Sequence, residues 1–591
     1  MTLKQVRPLL AFQNRRLALV YLGVACLNAC CEVLVVAAMY PLVASVSLAG
    51  TAIQSGWLKE LHQLTGAASS QGSLFALGGL FLLLFLVATL LNGATYWLHL
   101  RWTLSLRHAL AVHLLRVYLH RSYAWFTSRH TSDLVKDVLD EMDRLVYECI
   151  AKLSTLFYRG LTACLIVVGL VLVDPLVAAI SAALLCVAYQ SIYAVFRARL
   201  KRLGQRRIEL NQQRHRLVQE SLSAIKEGRL VRRRAVLHQG FERVSRDYLA
   251  LESQHRLIGE IPRHLTEGLA VLAIMLVFFF LSQRMADPRL AFGSIGVYVM
   301  AVWRLVPALQ EIYACLVDLR YSLPVLEAFQ PVWSELPAAL DGPPSLSRPF
   351  NKTIELRDVT FSYAETDSPA LREINLEVPK SSLVALVGRT GSGKTTAADL
   401  LGGLLWPSKG ALLIDGRPLG ANDEAAWQAC IGYVPQTIYL SDQSIAQNIA
   451  LGYPENEIDP AQVQRVARVA QIDERIERLP RAYQTTVGER GLSLSGGERQ
   501  RIGIARALYP KPEVLILDEA TSALDHATEE SFMAAVRALE GSHTVVLIAH
   551  RISTVRDCSR IYVFDEGLIV SHGSYAELLA NCPRFQELAG V

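Results

Sequence analysis

Glycines, a lysine and a threonine near the middle of the chain stand at a spacing suited to phosphate chemistry. Gly388 to Thr395 follow the pattern G-x-x-x-x-G-K-[ST], and the preceding run from Leu383 to Val387 is mostly bulky and apolar, as in a buried parallel strand. The glycines allow successive backbone N–H groups to point into one concavity, and the helix expected from Thr395 onward adds partial positive charge there. Lys394 is expected to reach the β- and γ-phosphates of a nucleotide, and Thr395 to offer its hydroxyl to Mg²⁺.

A glycine-rich turn between a strand and a helix can also be purely structural, so the prediction depends on motifs further along the chain. The residues of this loop predicted to contact nucleotide are Gly388, Arg389, Thr390, Gly391, Ser392, Gly393, Lys394, Thr395 and Thr396.

Four later segments add groups that suit phosphate transfer. One predicted strand ends at Gln436, and Ser495 with two following glycines precedes a helix, which makes a second helix start able to hold an anion. An apolar strand ends in two carboxylates, of which Asp518 can hold Mg²⁺ through its hydration shell and Glu519 can polarise a water. A last apolar strand ends at His550. Each feature alone has a structural explanation, but five in this order are not accidental.

Composition indicates a chain that is partly embedded in a membrane. The 591 residues are too many for one core, 52% of them are hydrophobic and 19% charged, and the mean hydropathy is +0.27. The net charge of +5 is small for this length. Ten cysteines are scattered without a C-x-x-C pair, so neither a metal site nor a disulfide framework is predicted.

Long apolar runs in the first half predict six membrane spans. Residues 101–146 and 197–256 are polar but compatible with helices, and are interpreted as cytoplasmic extensions with helical joints near residues 121–132 and 224–228. Residues 51–71 are expected to form an external loop, with a short interfacial helix at 57–64. The predicted spans are 17–48, 74–98, 150–173, 175–195, 265–281 and 292–317.

The distribution of positive charge orients these spans. The N-terminus and both extensions are basic, whereas the first two external loops contain almost no Arg or Lys, so the N-terminus is placed in the cytoplasm. Basic stretches can also bind nucleic acid, but their position after membrane spans already explains them, and no nucleic-acid partner is predicted.

The predicted fold class is an all-α six-span bundle followed by an α/β nucleotide-binding domain with an antiparallel β subdomain. Asp341 to Ser345 are rich in Gly and Pro and mark a boundary, and two alternating stretches, 353–356 and 359–363, are predicted as strands of the β subdomain. The predicted divisions are 1–335 for the transmembrane domain, 336–351 for the linker and 352–591 for the nucleotide-binding domain.

The segment L-S-G-G-E-R-Q at residues 494–500 and its neighbours give a specific resemblance. Residues 352–591 resemble the ATP-binding cassette of ABC transporters, and this resemblance implies a role for each matching position. Tyr363 would stack on adenine, Gln436 would sense Mg²⁺ and the membrane domain, and residues 486–491 would form a coupling loop. Residues 495–500 would form the signature loop, in which Ser495, Gly496, Gly497 and Glu498 are the expected nucleotide contacts. The remaining implied roles are the metal contact for Asp518, the catalytic base for Glu519, the D-loop for Asp525 and the switch on the γ-phosphate for His550.

The same resemblance implies a dimer with ATP and Mg²⁺ as cofactors. A P-loop and a signature loop within one cassette cannot reach each other, so two cassettes are expected to meet head to tail. Because every catalytic motif is intact, including Glu519, a homodimer is favoured over a heterodimer. The helical joints would be coupling helices resting on the cassettes. Because no cysteine-protease domain is predicted ahead of the spans, a bacteriocin exporter that cleaves leader peptides is not expected.

The membrane half carries a weaker resemblance. Segments 32–41, 223–227, 261–263 and 303–309 are similar to PglK-type flippases, which move polyprenyl-pyrophosphate-linked oligosaccharides across the bacterial inner membrane. The lipid bilayer and an amphipathic lipid-linked molecule are therefore the expected partners.

Ionisable residues at membrane depth are the candidate substrate contacts. Arg263 and Arg304 would bind a pyrophosphate, or alternatively pair with carboxylates such as Glu32, Glu267 or Glu311. Glu32 either faces the bundle interior or contacts substrate or a proton. Export of lipid A, a lipopeptide or a modified peptide is the alternative function, and a channel or regulator is a further one.

Overall fold

The computed structural model forms two compact units, one of residues 1–120 and 129–338 and one of residues 121–128 and 339–591. The residues it describes are 14–47, 70–173, 175–230, 234–284, 288–334, 350–363, 368–420, 423–488, 494–520, 529–530, 533–534, 536–537, 541, 543–549 and 551–590. The predicted interfacial helix at 57–64 and the Gly- and Pro-rich boundary at 341–345 lie outside them.

Long helices build the first unit, and two short elements interrupt the polar extensions near the predicted joints. The helices described here are α1 (Arg15–Ser47), α2 (Ser70–Leu119), α3 (Tyr123–Thr127), α4 (Thr131–Lys136), α5 (Met142–Arg144), α6 (Ala151–Val173), α7 (Pro175–Ser223), α8 (Ile225–Leu230), α9 (Arg234–Arg284) and α10 (Pro288–Ser334), with π-helical segments at Asp137–Glu141 and Leu145–Ile150. Of these, α3 belongs to the second unit.

Four helical stretches in the described part of the chain are long and apolar enough to cross a membrane: Arg15–Val43, Phe75–Leu119, Thr131–Leu172 and Gly296–Phe329. Helices α7 and α9 cover the predicted fourth and fifth spans without meeting that criterion, so the count of six spans stays a prediction.

Helices α7 and α10 approach each other closely at Gly204. A Cβ atom at this position would lie 2.0 Å from the carbonyl oxygen of Tyr321, so only a glycine lets the two backbones come this near. Tyr321 is fully buried, and the guanidinium of Arg207, one turn after Gly204, lies 5.7 Å from its ring. Arg207 is itself buried and pairs with Glu141 at 3.1 Å, which ties α7 to the π-helical segment.

The second unit contains two sheets within its described residues. The strands are β1 (Thr353–Phe361), β2 (Leu371–Pro379), β3 (Leu383–Gly388), β4 (Lys409–Ile414), β5 (Arg417–Pro418), β6 (Ile431–Val434), β7 (Val514–Asp518), β8 (Thr544–Ile548), β9 (Arg560–Asp565) and β10 (Leu568–Gly573). The antiparallel sheet has the order β2-β1-β4-β5 and the mainly parallel sheet the order β10-β9-β3-β8-β7-β6. The helices are α11 (Lys394–Leu401), α12 (Glu424–Gln428), α13 (Ile445–Ile449), α14 (Pro460–Val469), α15 (Asp473–Glu477), α16 (Gly496–Leu508), α17 (Tyr575–Asn581) and α18 (Pro583–Ala589).

The antiparallel subdomain forms as predicted, with one correction. The two predicted strands 353–356 and 359–363 are one continuous strand, β1, which ends at Phe361. An irregularity at Asp358, whose φ of 50° is left-handed, shifts the register to both neighbouring strands. Because the bulge absorbs the change of alternation, the strand continues through it where the sequence pattern suggested a break.

The parallel strands are buried because apolar side chains cover both faces of the sheet. All residues of β3, β7 and β8 are buried. Along β3, Leu383, Ala385 and Val387 pack into one apolar cluster, and Val384 and Leu386 pack into the other. The continuous apolar runs in the sequence are explained by this two-sided burial.

Candidate functional site

The phosphate loop connects the buried strand β3 to helix α11 through a backbone that requires glycine. Gly388 and Gly393 have φ values of 151° and 102°. A Cβ at Gly388 would lie 2.2 Å from the carbonyl oxygen of Phe564, and one at Gly393 would lie 2.5 Å from a methyl carbon of Leu371. Gly391, with φ of 80°, has open space around it. The loop is therefore packed from below and open on one side.

The donors of this loop suit a phosphate. The Lys394 side chain is buried, and its ammonium donates hydrogen bonds of 2.9 Å to the carbonyl oxygens of Gly388 and Arg389. Burial lowers the pKa of Lys394, and the nearby carboxylates Glu519 and Asp518 oppose this effect. The Ser392 hydroxyl is buried without a hydrogen-bond partner among the described residues. A buried cation and an unused hydroxyl within a curled glycine loop fit the β- and γ-phosphates of ATP.

Asp518 stands at the end of strand β7 above a second buried carboxylate. Burial raises the pKa of Asp518, and the neighbouring charge of Glu519 raises it further, whereas a hydrogen bond from Thr395 lowers it. The Tyr433 hydroxyl lies 3.1 Å from a carboxylate oxygen of Asp399 and 3.5 Å from one of Asp518. Burial also raises the pKa of Asp399, to about 6. Thr395 and Asp518 together supply oxygen ligands that fit Mg²⁺.

Asp399 and Tyr433 were not predicted from the sequence as site residues. Both belong to elements that were recognised, the helix after the phosphate loop and the strand before Gln436, but their role is set by contacts between elements. The sequence signal that could have indicated them is a polar side chain within an otherwise apolar helix, for Asp399, or strand, for Tyr433.

Glu519 and Gln436 meet at the carboxyl end of the parallel sheet. The Gln436 side-chain amide donates a hydrogen bond of 2.7 Å to the Glu519 carboxylate. Glu519 has a left-handed φ of 50°, its backbone N–H donates to the carbonyl of Ile548, and its own carbonyl accepts from Gln500 at 3.2 Å. Gln500 belongs to helix α16, so its hydrogen bond links the signature segment to the backbone of Glu519, a contact that the sequence did not predict.

Tyr363 lies beside the phosphate loop. Its hydroxyl is 3.1 Å from the Thr396 hydroxyl, and its ring meets Phe361 edge to face with 4.9 Å between ring centroids. Stacking of Tyr363 on adenine stays a prediction. Of the other loop residues, Arg389 is exposed and pairs with Glu587 at 3.1 Å.

Ser495 caps helix α16 through a reciprocal pair of hydrogen bonds. Its hydroxyl accepts from the backbone N–H of Glu498, and the Glu498 carboxylate accepts from the backbone N–H of Ser495 at 2.7 Å. Burial would raise the pKa of Glu498, but the bonds from Ser495 and Arg475 outweigh it and hold that pKa below its usual value. Gly496 and Gly497 form the first turn of the helix, so a helix start exists where the sequence predicted one.

Two predicted site residues, Asp525 and His550, and residues 489–491 of the predicted coupling loop lie outside the described residues. Their roles stay predictions.

The candidate substrate residues of the first unit are paired with carboxylates. Arg304 lies 3.5 Å from Glu32, which is almost fully buried. Arg263 and Glu267, 3.3 Å apart, are both more than half exposed. Glu311 pairs with Arg159, not with Arg304. The sequence suggested that Arg304 either binds a pyrophosphate or pairs with a carboxylate, and the structure contains the pair with Glu32.

A glycine phosphate loop on a parallel sheet, an antiparallel side sheet and a capped L-S-G-G-E segment define the ATP-binding cassette class, and here the cassette follows a set of long, largely apolar helices. Family models agree with this architecture. The ABC transporter transmembrane region matches residues 37–303, and the ABC transporter domain matches residues 371–522.

Curated relatives extend the match. An ATP-dependent lipid A-core flippase of Ralstonia nicotianae is 30% identical over 499 residues, 82% of each chain. A flippase of the same name from Alkalilimnicola ehrlichii is 37% identical over 328 residues, 54% of each chain. A β-(1→2)glucan export ATP-binding/permease protein of Rhodopseudomonas palustris is 36% identical over 322 residues, 54% of this chain and 53% of the relative. The chain thus spans about half the length of several curated relatives that it matches.

The chain belongs to the ABC transporter family. Among solved structures, a bacterial Atm1-family ABC exporter with ATP bound has a TM-score of 0.82 at 23% identity and covers 98% of each chain. This likeness concerns the fold, and it confirms the predicted class of a helical transmembrane domain fused to an ATP-binding cassette.

Proposed function

We propose that the chain is one half of an ATP-driven exporter or flippase, in which hydrolysis of ATP by the cassette drives transport by the helical domain. The observation that carries the proposal is the meeting of Lys394, Asp518, Glu519 and Gln436 at one edge of a buried parallel sheet. Phosphoryl transfer needs positioned charge and a positioned water more than covalent chemistry, and these four side chains supply both.

The roles of the residues follow from their donors and acceptors. Lys394 and the loop N–H groups hold the β- and γ-phosphates, and Tyr363 supports the adenine. Thr395, Asp518 and Gln436 would hold Mg²⁺, whose charge would offset that of the phosphate oxygens when it is bound. Glu519 accepts a proton from the attacking water, which requires that Gln436 release its hydrogen bond or share it with that water. His550 would contact the γ-phosphate.

We further propose a homodimer in which each ATP lies between the phosphate loop of one copy and the signature loop of the other. The capped helix start supports this arrangement, since Ser495 is exposed and Gly496 and Gly497 are half-buried, so that the N-terminal turn can meet an anion. Asp525 would lie at the same interface.

The proposed substrate is an amphipathic lipid with a phosphorylated head group, most specifically a polyprenyl-pyrophosphate-linked oligosaccharide. It would move from the cytoplasmic to the outer leaflet of a bacterial inner membrane, with the N-terminus and cassette in the cytoplasm. Arg263, Arg304 and Glu32 are the proposed contacts in the membrane domain. The arginine pairs support this, since a phosphate can replace a carboxylate as a bidentate partner of Arg.

Lipid A is the second candidate, and the names of the relatives favour it. Reconstitution in proteoliposomes separates the two. Purified chain, ATP and Mg²⁺ are mixed with fluorescent lipid-linked oligosaccharide or fluorescent lipid A, and transfer between leaflets is measured by quenching with dithionite. We expect ATP-dependent transfer of the lipid-linked oligosaccharide. Transfer of lipid A alone would select the second candidate, and transfer of neither would reject both.

A further inference from the structure

Three ion pairs follow one another along helix α10 at intervals of seven residues. Asp318, Glu311 and Arg304 lie two helical turns apart, about 10 Å per step, and therefore on one face of the helix. We call these pairs the charge ladder. Its rungs are Lys152–Asp318 at 2.9 Å, Arg159–Glu311 and Arg304–Glu32 at 3.5 Å.

The lower two rungs join the antiparallel helices α6 and α10. Lys152 and Arg159 are themselves seven residues apart on α6. Lys152 therefore lies level with Asp318 along the helix axis, and Arg159 lies level with Glu311. The partner of Arg304, the third charged residue on this face of α10, is Glu32 of helix α1. With the predicted span ending at residue 317, Asp318 lies at the cytoplasmic boundary, Glu311 about 9 Å inside it and Arg304 about 20 Å inside it.

The pairs Lys152–Asp318 and Arg159–Glu311 are partly accessible to solvent, whereas the Arg304–Glu32 pair is largely buried. The side chains of Glu311 and Arg159 are 48% and 26% exposed, and that of Lys152 is 35% exposed. Exposed charges of this kind are not tolerated against hydrocarbon, so this face of the bundle borders a water-filled space or a second copy.

The top rung has unused binding capacity. The Arg304 guanidinium has five N–H donors, its distance to Glu32 is long for a hydrogen bond, and its Nε is buried without a hydrogen-bond partner among the described residues. Glu32 is held in place from the other side by the Asn92 side-chain amide at 2.9 Å. A largely buried guanidinium whose Nε–H has no hydrogen-bond partner among the described residues, next to a fixed carboxylate, suits a further acidic oxygen.

We propose that the charge ladder is the path of the phosphorylated head group, which replaces Asp318, Glu311 and Glu32 in turn as the counter-ion of Lys152, Arg159 and Arg304. Each carboxylate keeps its rung neutral until the ligand arrives and therefore competes with it. This inference rests on the proposed function, since it assumes a phosphorylated lipid as substrate. It assigns a role to four residues to which the proposed function gives none: Lys152, Arg159, Glu311 and Asp318.

Two substitutions that are expected to change the affinity for the pyrophosphate in opposite directions test the proposal. Binding of a polyprenyl pyrophosphate to the full chain in nanodiscs is measured by microscale thermophoresis, with polyprenol of equal length as the uncharged probe. We expect Arg159→Gln to weaken binding of the pyrophosphate about tenfold and Glu311→Gln to strengthen it about threefold, because the first removes the site and the second removes its competitor. Binding of polyprenol should not change.

A double variant excludes a merely structural pair. If the rung only held α6 to α10, both single variants would weaken binding and Arg159→Gln/Glu311→Gln would recover it. If the rung binds the head group, the double variant binds as weakly as Arg159→Gln. Lys201→Gln is the control, since Lys201 of α7 pairs at 3.1 Å with Glu327 of α10, which lies outside the ladder.

The readout is independent of hydrolysis, so failure of the proposed ATPase and failure of the ladder are distinguishable. Lipid A serves as a second phosphorylated probe and should respond to the variants with the same signs if phosphate is the recognised group. Weaker binding in Glu311→Gln, or equal binding of polyprenol and its pyrophosphate by the wild-type chain, overturns the proposal.

Discussion

Gln436 donates a hydrogen bond of 2.7 Å to the carboxylate of Glu519, across 83 positions of sequence. The amide thereby occupies one of the two oxygens with which the carboxylate can accept a proton from water. Strand β6 delivers Gln436 and strand β7 delivers Glu519, and these strands are parallel neighbours, so both side chains emerge at the same edge of the sheet. This contact couples the predicted metal-sensing residue to the predicted base.

Replacement of Glu519 by glutamine should stop turnover without preventing ATP binding. The amide keeps the size of the side chain but cannot accept the proton of the attacking water, and loss of a general base costs about 10²- to 10⁴-fold in rate. Steady-state phosphate release and equilibrium binding of a fluorescent ATP analogue measure the two effects. Glu513→Gln, just before the same strand, is the matched control and should hydrolyse ATP normally. Wild-type turnover by Glu519→Gln would remove Glu519 from the mechanism.

Two serines with the same capping geometry separate folding from function at the signature loop. Ser495 caps α16 with Glu498, and Ser574 caps α17 with Glu577. Alanine at either position should cost about 1 kcal/mol of stability, because one backbone N–H loses its acceptor.

Only Ser495→Ala should also lower ATPase activity, by about tenfold or more, since its hydroxyl would face the phosphate held by the second copy. Thermal unfolding and ATPase rate of both variants provide the comparison. Equal activity of the two variants would limit Ser495 to capping.

Asp399 should make the stability of the cassette depend on pH. Its pKa is about 6 in the folded protein, against an ordinary value of 3.8, mainly because it is buried. The folded state therefore holds this proton to higher pH than the unfolded chain does. The group favours neither state below about pH 4, and above about pH 6 it disfavours the folded state by about 3 kcal/mol.

Asp399→Asn removes the titrating group and tests whether ionisation of Asp399 lowers the free energy of unfolding. Relative to the wild type, the variant should gain free energy of unfolding as the pH rises from about 4 to about 6 and show a constant difference above that. Denaturant unfolding of the full chain in detergent with EDTA, followed by tryptophan fluorescence, gives both curves. A difference that is flat across the whole interval would mean that Asp399 titrates normally.

Close packing of α7 on α10 makes Gly204 sensitive to the smallest substitution. The added methyl group of Gly204→Ala meets the carbonyl oxygen of Tyr321 at 2.0 Å, so the helices must separate, at a cost of about 1 to 3 kcal/mol. Gly240 of α9 has nothing within 4 Å of its Cβ position, and Gly240→Ala should be neutral or stabilising by up to about 1 kcal/mol. The thermal midpoints of the two variants in detergent decide the matter, and a Gly204→Ala midpoint at or above that of Gly240→Ala would contradict the packing.

The cassette was largely predictable because its motifs are local. Three motifs each consist of adjacent residues whose types and spacing determine their chemistry. They are the phosphate loop, the strand that leads to Asp518 and Glu519, and the helix start at Ser495. The continuous β1 was not predicted, since a bulge at Asp358 depends on the strands on either side of it.

The sequence by itself determined the class of the protein, the chemistry of its phosphate loop and the identity of the residues at the ends of its strands. Tertiary structure alone decided that one tyrosine hydroxyl lies between Asp399 and Asp518, that Glu32 is the counter-ion of Arg304, and that Glu311 belongs to Arg159. These pairs join residues on different helices and strands. Their partners depend on how those elements pack, and sequence periodicity gives the face of each element but not what lies against it.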